Sequence, residues 1–121
     1  MKYGIKHNFR IESARFLPRL PKEHPCSRTH GHSFEIIIEL CGELNEELGW
    51  LIDYNDIKNN VQPVLQQLDH RLLNEVPGLE NPTSELLAQW IFNKVVLSLP
   101  DLYTVRVKET PDTECMYPFR S

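Results

Sequence analysis

His30-Gly31-His32-Ser33-Phe34-Glu35-Ile36-Ile37-Ile38-Glu39-Leu40-Cys41-Gly42 decides the fold class. His32, Phe34, Ile36, Ile38 and Leu40 fall on one side of an extended chain, and Ser33, Glu35, Ile37, Glu39 and Cys41 on the other. The period is two, and the isoleucine run favours a strand over a helix. Upstream, Tyr3, Ile5, Phe9 and Ile11 share one side of a second strand. Between the two, Pro18, Pro21 and Pro25 exclude a helix and mark a loop. Downstream, Gly42 to Gly49 is polar and reads as a hairpin connection, with Trp50-Leu51-Ile52 a short strand or lead-in. Asp53 is a helix N-cap, after which Ile57, Val61, Val64, Leu65 and Leu68 recur at helical spacing, with Pro63 expected to kink or restart the helix. Asn81-Pro82-Thr83-Ser84-Glu85 opens a second helix with Leu86, Leu87, Trp90, Ile91 and Val95 as its buried stripe. Tyr103, Val105, Val107 and Glu109 share one side of a third strand, and Cys115 to Arg120 forms a last one. The order β, β, helix, helix, β, β predicts an α+β fold with an antiparallel sheet and the helices on one face.

The chain has 121 residues, the size of one compact domain, and no linker or repeat divides it, so 1–121 is read as a single domain. A formal charge of −4 gives no general attraction to phosphate backbones, so nucleic acid is not expected as a partner. No apolar run has the roughly 18 residues of a membrane span. The first residues lack a signal peptide's apolar stretch, so the expected address is the cytoplasm. Cys26, Cys41 and Cys115 are odd in number and widely spaced, which argues for reduced thiols rather than a disulfide framework.

Several residues could carry chemistry. His30 and His32, two apart on a strand, project to one face and are half of a zinc site. They also fit the plainer reading of two polar residues at a strand start. Cys26, four residues before His30, is a candidate base or nucleophile, or an inert small hydrophobe. Asp69 can fix the tautomer of His70, although a histidine at a helix end also interacts well with the dipole. Glu109 lies on an otherwise apolar strand face and needs a partner, from the protein or a ligand, unless it reaches solvent at the strand end.

Taken together, Cys26-Ser27-Arg28-Thr29-His30-Gly31-His32, Leu68-Asp69-His70, Asn81-Pro82-Thr83-Ser84-Glu85 and Val107-Lys108-Glu109-Thr110 closely resemble the 6-pyruvoyltetrahydropterin synthase family, in its queuosine-pathway branch of 6-carboxytetrahydropterin synthases. The resemblance runs from about Phe9 to Tyr117 with the motifs in family order, and the gap from Cys26 to His30 is the one expected of that branch. It implies a tunnelling fold: a four-stranded antiparallel sheet with two helices on one face, joined into an oligomeric barrel of trimers stacked as a homo-hexamer. It implies a lyase that converts 7,8-dihydroneopterin triphosphate to 6-carboxytetrahydropterin, acetaldehyde and triphosphate in queuosine (7-deazaguanine) biosynthesis. By motif, Cys26 is the proton-abstracting thiolate, and Asp69 with His70 a second proton relay. Glu109 anchors the pterin, which Thr83 and Ser84 line from a neighbouring subunit. Zinc is the implied cofactor, held by His30, His32 and a third histidine ending the first strand in an Ala-Ala-His stretch. This chain has Ser13-Ala14-Arg15 there. Arginine has no lone pair for a metal. Either His24 or His7 supplies the third ligand, or the substrate completes the shell, or zinc is lost. The alternative reading is a pterin-binding paralogue with an impaired zinc site and low or altered activity.

Overall fold

A computed structural model describes residues 1–120. β1 (Tyr3–Arg15), β2 (His30–Gly42), β3 (Leu102–Thr110) and β4 (Thr113–Tyr117) form one antiparallel sheet in the order β1-β2-β3-β4. α1 (Tyr54–Leu65) and α2 (Ser84–Val95) lie between β2 and β3 in the chain, and a short 3-10 turn, Pro25–Ser27, interrupts the proline-rich loop. The four strands and two helices appear in the expected order.

The alternation in β1 and β2 sets which face is covered. Register pairs Arg15 with His30, Ser13 with His32 and Ile11 with Phe34, so these six residues share one face. Farther along that face, Phe34, Ile36, Ile38 and Leu40 meet Val105 and Val107 of β3 in the core. Ile57, Val61 and Leu65 of α1 and Leu87, Ala88, Ile91 and Val95 of α2 close over them. Fully burying one such side chain contributes about 1.5–3 kcal/mol, so this layer is the main stabilising term. The opposite face is polar: Arg106 bridges Glu39 at 2.9 Å and Glu114 at 2.6 Å.

Local expectations are corrected at five points. Residues 43–52 form neither a hairpin nor a strand at Trp50-Leu51-Ile52. Asn45 instead folds the segment on itself, its side chain accepting from Glu47 and Leu48 N–H and its own N–H donating to Trp50 O. α1 ends at Leu65 rather than Leu68, with Pro63 in its last turn, where the missing N–H removes only one ladder bond. α2 begins at Ser84 rather than at Asn81, capped by Thr83, whose side chain accepts from Leu86 N–H. Pro82 biases Asn81 towards extended backbone, which delays the helix. Leu86 is 38% exposed and is no part of the buried stripe. β4 stops at Tyr117.

Candidate active site

The sheet end where β1 finishes and β2 begins gathers four of the sequence-predicted residues. Arg15 ends β1, His32 opens β2, Glu109 stands near the end of β3 and Ser84 is the first residue of α2. Pairing of β3 with β4 is irregular between Val107 and Thr110, and Glu109 falls in that interval. Such irregularities re-aim side chains at sheet margins. One Glu109 carboxylate oxygen, Oε1, accepts from Arg15 Nη2, and His32 Nε2 lies 3.3 Å from the same oxygen. The other, Oε2, accepts from the Ser84 hydroxyl. The Arg15 side chain is 4% exposed, against 27% for Glu109. Arg15 Nη1 also donates to Pro82 O at 3.1 Å, and its guanidinium lies 5.0 Å from the Phe34 ring centroid. His32 stacks on the same ring, also at 5.0 Å. Arg15 Nε has no hydrogen-bond partner among the described residues, a condition that costs about 1–3 kcal/mol for a buried donor.

Asp69 and His70 form a second group. They follow α1 in a turn, and neither belongs to the helix. His70 adopts φ 57°, left-handed backbone that non-glycine residues seldom take. The outer edge of β1 holds it there: His70 N–H donates to Glu12 O at 2.6 Å, and Asp69 Oδ1 accepts from Glu12 N–H at 2.8 Å. Asp69 Oδ2 lies 3.1 Å from His70 Nδ1. The Glu12 backbone N–H, with a smaller contribution from His70, holds the Asp69 carboxyl below its ordinary range. Glu12, Ala14, Gly31, Ser33 and His70 line an open groove of about 620 Å³ beside this edge.

Cys26 is half-buried in the Pro25–Ser27 turn, where its N–H donates to His24 Nδ1 at 3.1 Å and its carbonyl accepts from Leu17 N–H at 2.7 Å. These bonds tie it to neither group. Thr83 is spent on capping α2, and Ser84 binds Glu109 of its own chain. Three participants escaped sequence reasoning: Phe34 beneath Arg15 and His32, Glu12 behind Asp69, and Asn74. The Asn74 side chain takes both backbone groups of Phe16, at 3.0 and 2.8 Å, and so steadies the residue after Arg15. These pairings span up to 58 residues of sequence and leave no local signal.

The residues present do not fit a zinc ion. A protein zinc site of the catalytic kind needs three ligands. His30 and His32 offer two, with ring centroids 6.4 Å apart, and the third position is a guanidinium. Among the described residues no group of three His, Cys, Asp or Glu side chains could hold a metal. His7 pairs with Ile38, eight positions along β1 from Arg15, or about 26 Å away. His24, whose Nδ1 accepts from Cys26 N–H, belongs to no group of three metal-ligating side chains among the described residues. Neither completes the site.

This fold and cluster define a class, the pterin synthases of the tunnelling fold. The sequence pattern of 6-pyruvoyl tetrahydropterin synthases matches residues 4–119, and the chain belongs to that family. It is 36% identical over 119 residues to a 6-carboxy-5,6,7,8-tetrahydropterin synthase of Synechocystis sp., covering 93% of this chain and 91% of that one. A Bacillus subtilis protein of the same name is 29% identical over 127 residues, covering 95% and 84%. In fold the chain matches the Caenorhabditis elegans 6-pyruvoyl tetrahydropterin synthase with TM-score 0.87 at 24% identity, covering 97% and 95%.

Proposed function

We propose that the chain is a lyase of the 6-carboxytetrahydropterin synthase type, acting on 7,8-dihydroneopterin triphosphate in the cytoplasm and serving queuosine biosynthesis. The observation that carries this reading is the Glu109 carboxylate held beside His32 and Ser84, in a chain 36% identical to a protein of that name. An ionised carboxylate has about four lone-pair sites. Arg15, Ser84 and the nearby His32 use part of them. The pterin's amino and ring N–H groups would share Glu109 with Arg15 and displace the Ser84 hydroxyl from Oε2. That charge-assisted pairing orients the ring.

Cys26 is the group assigned to take the proton from the substrate side chain, and Asp69 with His70 the relay that returns one. Asp69 is suited to hold the imidazole, because the Glu12 N–H keeps its carboxylate charged. Thr83 and Ser84 contribute to the pterin pocket. His30 and His32 are the metal ligands by resemblance, but the donor set above does not support zinc, and no step here runs through a metal. Residues 1–121 act as one domain, and a homo-hexamer joins the open sheet edges of neighbouring chains.

Incubation with 7,8-dihydroneopterin triphosphate tests the reading. Acetaldehyde release is expected, and Cys26→Ala should lower it by about 10²–10⁴-fold with pterin affinity retained. Equal turnover in Cys26→Ala would remove the thiol from the mechanism.

A further inference from the structure

We infer that Arg15 is the resident cation of this site and stands where a metal ion would otherwise be held, so that the chain binds no zinc at His30 and His32. This rests on membership of the family and on the contacts of Arg15, not on the lyase reading above. Arg15 registers opposite His30 at the end of β1, the position from which a third ligand would have to come. Its guanidinium stays protonated and has no lone pair to give. Nor is it free to swing away. It donates to Glu109 and to Pro82 O, lies over Phe34 and is almost wholly buried. Those contacts join β1, β2, β3 and the lead-in to α2, which is the cross-linking a coordinated ion would provide.

The same contacts set the local charge. His32 Nε2, the nitrogen that would face a metal, is 3.3 Å from the Glu109 oxygen that Arg15 also holds. A divalent ion at His32 would therefore stand beside a fixed positive charge in a partly desolvated pocket, where repulsion is weakly screened. Glu109, the carboxylate beside His32, is already ion-paired with Arg15. Arg15 is thus a positioning residue: it fixes the Glu109 carboxylate and excludes the ion.

The test is metal content. The full chain is equilibrated with zinc sulfate, dialysed and analysed for zinc, with calorimetric titration of the same protein by zinc sulfate alongside. The wild type is expected to retain far less than one zinc per chain and to show no saturable heat at this site. Arg15→His should retain about one zinc per chain, and adding His32→Ala should abolish it. A wild type that keeps one zinc per chain, lost on His32→Ala, would overturn the inference. So would a folded Arg15→His that takes up none. If Arg15→His does not fold, the wild-type zinc content and its titration decide the matter alone. Zinc is measured whether or not dihydroneopterin triphosphate is turned over, so a failed lyase assay leaves this result standing, and a zinc-loaded wild type leaves the lyase reading standing.

Discussion

Removing the charge from Glu109 would leave the Arg15 guanidinium buried without its counter-ion. Glu109→Gln should therefore destabilise the fold by about 3 kcal/mol, the scale for breaking one side of a buried pair, seen as a lower urea midpoint. It should also weaken pterin binding by about 1.5–3 kcal/mol. An unchanged midpoint would show that Arg15 does not depend on Glu109. In the sequence Glu109 is conspicuous as a carboxylate on an apolar strand face, so its need for a partner is legible. The partner is not, because Arg15 lies 94 positions away. Asp69 gives a pH signature. Its folded pKa is depressed by the Glu12 N–H, so its contribution to stability is present above the unfolded value of about 3.9 and is lost as pH falls through the folded one. The stability difference between wild type and Asp69→Asn should shrink as the pH is taken from about 6 to about 3. The side chain is 39% exposed, so solvent screening keeps the effect small. A pH-independent difference would contradict the assigned bond.

The elements differ in how openly the sequence displays them. β2 is plain from its alternation, and α1 from Asp53 and its apolar period. Their ends are less so, because side chains decide them: Thr83 captures Leu86 N–H, and Asn45 captures two backbone N–H groups before Trp50. Thr83→Ala should cost about 1 kcal/mol through loss of the α2 cap, measured by chemical denaturation. Thr83→Ser, which keeps the oxygen, should recover most of it. An equal loss in both variants would mean that the hydroxyl does not cap the helix. Cys115 illustrates a residue whose chemistry the packing removes. Burial pushes its thiol up to about 11, so it should resist alkylation in the folded protein at neutral pH.

Across the whole molecule, the sheet is open at β1 and β4. Residues 69–72 cover only the end of the β1 edge, through bonds to Glu12 and Ala14. The remaining unpaired edge groups of both strands are available to neighbouring copies. If the homo-hexamer proposed above joins these edges, light scattering should give the mass of six 14.2 kDa chains; a monomer would contradict that proposal. At this scale the fold is legible from the motifs, and Arg15 already stands out in the sequence at the end of β1, whereas its ion pair with Glu109 emerges only from contacts between strands far apart in the chain. Product analysis after incubation with 7,8-dihydroneopterin triphosphate distinguishes a pterin lyase from a protein that only binds the pterin. A lyase of the proposed type releases 6-carboxytetrahydropterin and acetaldehyde in equal amounts. Tight binding of the pterin with no acetaldehyde released would contradict the lyase proposal.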